Sequence, residues 1–140
     1  MIVGATLAIT SVPAVHAASV KEIFEKHNLI GTFAWDCSKP ASDSNWYYVH
    51  RIVGSDYVQR DQMRHPTTRD FAIVYESGSE PRANEIEVTG KRDGTPGTVI
   101  YQIDGGRMRA REATFGGQKA VTDSKDPNGR VVPWASKCSR

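Results

Sequence analysis

From residue 29 onward the sequence alternates apolar and polar positions, and glycine-centred dipeptides interrupt the alternation at short intervals. A period of two puts successive side chains on opposite faces of an extended chain, and glycine supplies the positive φ that tight hairpin turns require. The pattern predicts strands over about 29–36, 46–53, 56–64, 69–76, 85–92, 98–104, 107–115 and 118–123. Turns are expected at Gly54-Ser55, at Asp93-Gly94 with Pro96-Gly97, at Gly105-Gly106 and at Gly116-Gly117, with longer polar loops over 37–45, 77–84 and 123–130. A meander of this kind has two exposed edges if open, and closing it into a barrel removes them. The fold class is therefore all-β, an up-and-down antiparallel barrel of about eight strands, with a flattened sandwich as the competing arrangement.

Before the strands the period is helical. Ser19-Val20-Lys21-Glu22 matches a capping box, in which the serine hydroxyl and the glutamate carboxylate satisfy free amides at a helix start. Val20, Ile23, Phe24 and His27 then form one narrow stripe, and Asn28 is a suitable stop. A helix of about two turns cannot stand alone and must pack on the barrel.

Residues 1–18 contain no Lys, Arg, Asp or Glu. A short apolar run, a helix-breaking Pro13 and small residues at Val15-His16-Ala17 have the form of an export signal, so residues 1–17 are read as a signal peptide and 18–140 as one domain. The basic residue that ordinarily precedes such a run is missing, which would place the true start a few residues upstream of Met1. The alternative is a buried first element of the mature domain. Cys37 and Cys138 are then the two cysteines of an exported chain and are read as a disulfide. There is no CxxC to support a metal pair and no cysteine at the position where bacterial lipid anchors attach. The expected location is periplasmic or secreted, the expected form a monomer with no transmembrane segment. A formal charge of +2, with the 18 basic residues spread along the chain, argues against a nucleic-acid partner.

Motifs for hydrolysis, phosphate binding or metalloprotease chemistry are not found, so no catalytic residue, cofactor or metal ligand is assigned. His27, His50 and His65 fit no metal-ligand spacing. Two polar features are candidates for ligand binding. Arg107, Arg109 and Arg111 alternate along one strand and so share a face, which either binds an anionic group or lies exposed, paired across strands with carboxylates such as Glu85 and Glu87. Over 57–64 polar residues fall on both faces, so this strand is either an edge or part of a polar interior lined by Arg60, Asp61 and Gln62.

Gly31-Thr32-Phe33, opening the first strand after a short helix, resembles the Gly-x-Trp start of lipocalin-type barrels, with Phe in place of Trp. The segment GTFAWDCSKPASDSNWYYVH with the closing PWASKC resembles small exported proteobacterial proteins of uncharacterised function that share a GTW-x-x-DCS-x-P opening. That resemblance supports the cysteine pairing and carries no activity. Ser77-Gly78-Ser79 is similar to the Ser-Gly loop of periplasmic C-type lysozyme inhibitors, with Glu80-Pro81 where an aromatic is usual. These features lead to a non-enzymatic binding protein for a small molecule or an envelope protein, the alternative being an interaction module such as a lysozyme-type inhibitor.

Overall fold

The structure is a computed structural model and describes residues 17–139. The proposed signal segment lies outside the described residues except for Ala17. One helix, α1 (Val20–Lys26), precedes nine strands among the described residues: β1 (Gly31–Ala34), β2 (Tyr47–Val53), β3 (Tyr57–Met63), β4 (Arg69–Arg82), β5 (Glu85–Arg92), β6 (Thr95–Asp104), β7 (Arg107–Phe115), β8 (Gln118–Val121) and β9 (Ala135–Lys137). Strands β1 to β7 pair in sequence order, and β9 pairs with both β7 and β1, so eight strands close an antiparallel barrel. The fold is a barrel, not a sandwich.

The strand that closes the ring is not the expected one. Residues 118–121 form β8, which folds back only on the far part of β7, pairing with Ala113, Thr114 and Phe115. Closure falls instead to Ala135–Lys137, which the sequence presents only as a tail. β9 bonds to Arg107 and Met108 of β7 and to Phe33 and Ala34 of β1. Between its two partners the edge of β7 is covered by the chain after β8, where the Ser124 amide donates to the Arg111 carbonyl at 2.9 Å. This stretch is the seam of the barrel. Cys37 and Cys138 form a disulfide next to it, joining the chain beyond β1 to the chain just past β9.

β4 also runs further than expected, through Ser77, Gly78 and Ser79, which pair with Thr89, Val88 and Glu87 of β5. Register shifts on either side of this stretch absorb its irregular residues. The Ser-Gly-Ser segment is thus part of a ladder and not a loop. Pro96 and Gly97 lie within β6, and Asp93-Gly94 alone makes the preceding turn.

Ser19 caps α1 by accepting from the Glu22 amide, and Asn28 ends it at φ 56°. The helix buries Val20, Ile23 and Phe24 against the barrel, and its Lys21 amide donates to the Asp56 carbonyl in the β2–β3 turn. Lys26 and His27 both hold Glu80 of β4. Phe24 reaches inside, its ring 5.2 Å from that of His50 and 6.0 Å from that of Tyr75.

Candidate functional site at the barrel seam

Strand β3 lies between β2 and β4, so it is not an edge, and its polar residues divide by alternation. Val58, Arg60 and Gln62 take the inner face, while Asp61 turns outward between Arg51 at 3.3 Å and Arg69 at 3.2 Å. Asp61 is therefore not an interior residue. Its low exposure comes from the arginines laid over it and from the Gln59 amide that donates to it. Gln62 is buried opposite Tyr48 and Phe71 and does not line the cavity described below.

Arg60 stands opposite His50 in the β2–β3 register. Its guanidinium lies 4.0 Å from the centre of the Tyr48 ring and donates to the Tyr101 hydroxyl at 2.6 Å, and that hydroxyl is hydrogen-bonded to Tyr75. Aromatic faces and phenol oxygens suit a cation but bring no negative charge. Among the described residues no carboxylate pairs with Arg60. Burial disfavours its charge, and the tyrosines Tyr101, Tyr75 and Tyr48 more than offset that, so Arg60 remains protonated. Burial also raises the phenols of Tyr48 and Tyr101, which stay neutral at physiological pH. The inner face of β3 thus carries a half-buried positive charge with no carboxylate partner among the described residues.

His50 is 1 % exposed, with its Nδ1 at 2.8 Å from the Leu29 carbonyl. A carbonyl can only accept, so Nδ1 carries the proton and a neutral ring presents a bare lone pair at Nε2. Burial first, and the Arg60 charge second, push the His50 pKa down to about 3. Three buried side-chain polar atoms among the described residues have no hydrogen-bond partner: His50 Nε2, Arg60 Nε and Trp35 Nε1. The first two belong to residues that line one cavity of about 30 Å³ at the seam. Its inner wall includes Tyr48 and Tyr101, while Met108, Ala110, Pro133 and Ala135 give it an apolar side and Arg109 stands on its rim. A second, broad hollow of about 520 Å³ lies outside the barrel over Thr89, Lys91 and Thr98, open to solvent.

The arginines of β7 do not act as a set. Ile100 pairs with Glu112 and Tyr101 with Ala110, which leaves Arg111 as the extra residue of a bulge. Arg111 is held by Glu85 at 3.0 Å, the cross-strand ion pair that is one of the two sequence readings, and Glu112 lies at 3.7 Å. Arg107 pairs with Asp104 at 2.7 Å, and Arg107 and Arg109 both lie 4.5 Å from the Trp134 ring centre. Arg109 otherwise donates to Gln102, a neutral partner. Arg109 alone of the three therefore joins Arg60 at the cavity.

The three histidines are separated: His27 is on Glu80, His50 is inside, and His65 accepts from the Thr67 amide in a loop. Tyr48, Tyr75 and Tyr101 read in the sequence as core or barrel-wall aromatics of which two or three could floor a pocket, and His50 as a histidine inside a strand, without a pairing to Arg60. The signal that finds His50 is the short turn after Val53, which sets Val53 opposite Tyr57 and hence His50 opposite Arg60. No family model, no curated protein and no solved structure matches the chain, so its function has to be argued from this site.

Proposed function

We propose that the protein is a non-enzymatic binding protein of an oxidising compartment, periplasmic or secreted, whose barrel seam receives an anionic group. The carrying observation is Arg60: a half-buried cation on the inner face of β3, given π faces and phenols but no carboxylate among the described residues, and left with a buried Nε that donates to nothing. Groups of this kind are costly to keep in a core and are retained where they meet a ligand. The disulfide and the uncharged leader-like run support export.

Native mass spectrometry of the protein recovered from the periplasm tests this reading. It is expected to show cleavage near Ala17 and an adduct that is lost in Arg60→Met. An unprocessed chain would remove the compartment, and identical spectra for both proteins would remove the site. The exposed end of the β4–β5 hairpin, together with the small size of the seam cavity, favours a second reading as an interaction module of the inhibitor type. A protein bound in place of a small adduct, and lost on changing residues 79–84, would select it.

A further inference from the structure

His50 and Arg60, opposite each other across β2 and β3, both line the seam cavity, and each has a buried side-chain nitrogen without a partner, a donor on Arg60 and an acceptor on His50. A single occupant that satisfies both has to accept from one and donate to the other. About 30 Å³ is room for a water or two, or for a group of a few heavy atoms. A carboxyl group meets both demands: it is small and planar, it has one oxygen for Arg60, and its second oxygen is able to share a proton with His50 Nε2. Beyond the polar end the walls are Met108, Ala110, Val132, Pro133 and Ala135, which suit a hydrocarbon chain leading outward past Arg109. We infer that the cavity binds an aliphatic monocarboxylate, whose head bridges Arg60 and His50 and whose chain leaves along the seam. This rests on the anion-binding reading and assigns its chemical class.

Proton balance follows from the same geometry. The ligand arrives as a carboxylate, and the bridge to His50 contains one proton that the empty site lacks, so binding takes one proton from solvent. The charged or titratable groups that share the cavity with His50 are Tyr48 from β2, Arg60 from β3, Tyr101 from β6 and Arg109 from β7, with Lys137 of β9 acting on it from nearby, and none of them is a carboxylate. α1 and β1 present Phe24 and Phe33. The proton therefore comes only with an anion.

The test is an NMR titration of the mature, disulfide-bonded protein with sodium butyrate at pH 5.5 and 7.5, following the Arg60 Nε–H and the His50 ring nitrogens. Saturable shifts of both are expected, with affinity rising by up to about tenfold per unit fall in pH, the limit for uptake of one proton. Butyramide is expected to bind at least tenfold more weakly. Arg60→Met should abolish the shift at His50, and His50→Gln should keep binding but lose its pH dependence. Should Arg60→Met fail to fold, Arg109→Gln serves, with a few-fold weaker affinity and an unchanged pH slope. Equal binding of butyramide, or pH-independent binding of butyrate, overturns the carboxylate bridge. Shifts with phosphate but not butyrate leave an anion site of another class, and no shift with any anion removes that reading too.

Discussion

A guanidinium moved from water to a half-buried place among three tyrosines loses part of its hydration and recovers one hydrogen bond to Tyr101 and the ring face of Tyr48. Replacing buried charge by an apolar side chain of similar length is often neutral or stabilising by about 1–4 kcal/mol. Arg60→Met should accordingly unfold in urea at pH 7 with a free energy equal to or above that of the wild type. A loss beyond about 2 kcal/mol would mark Arg60 as structural and weaken its assignment to a site. His50 makes the complementary case. Its folded pKa of about 3 lies below the ordinary 6.5, so between those values the unfolded chain binds a proton that the folded one refuses. Stability from this group is complete above pH 6.5 and drains away as pH falls toward 3, by at most about 1.4 kcal/mol per unit. From pH 6.5 to 4.5 the wild type should lose roughly 2–3 kcal/mol in urea titrations, and His50→Gln should remove most of that slope. A parallel slope in the variant would place the proton elsewhere.

At the level of strands, the hairpins were legible because period-two alternation and glycine turns act locally. β5 and β7 run over the residues expected of them, and β2 and β3 do so to within one. β9 was not legible: three residues after Pro133 and Trp134 carry no measurable alternation, and their strand character comes from two neighbours far away in sequence. The extension of β4 was hidden by Ser, Gly and Pro, residues that ordinarily mark loops and that here occupy bulges. Of the site, Arg60 and Arg109 were legible as polar residues in strands, whereas their convergence required the closing strand. Two inward glycines show what the sequence conceals about curvature. Gly90 and Gly97 face each other across β5 and β6, and a Cβ would lie 2.0 Å from the Val74 carbonyl oxygen at the first and 2.2 Å from Cδ1 of Phe115 at the second. Backbone cannot yield as a side-chain tip does, so Gly90→Ala should cost about 2–3 kcal/mol or more in thermal or urea unfolding. Unaltered stability would mean that the corner bends without needing the bare backbone.

For the molecule as a whole, the weak point is the seam, where only three residues of β9 join β7 to β1. The Cys37–Cys138 bond spans 101 residues and so encloses every barrel strand except β1 within its loop. Chain-entropy reasoning gives such a loop about 4–5 kcal/mol, against about 5–15 kcal/mol for a whole domain. The double variant Cys37→Ser with Cys138→Ser should therefore show a much lower urea midpoint than the oxidised wild type. Its effect should also be uneven along the chain. The Cys138 amide donates to the Thr32 carbonyl and the Lys137 amide to the Gly106 carbonyl, and both amides belong to the segment that the bond fastens. Hydrogen exchange at these two amides should accelerate before that of β3 and β4, because opening β9 breaks the ring without unravelling the hairpins. Since the same segment forms one wall of the Arg60 cavity, seam opening and loss of anion binding should occur together. Exchange that rises uniformly across all strands, with binding unchanged, would show that the bond restrains only the unfolded chain and has no part in holding the site.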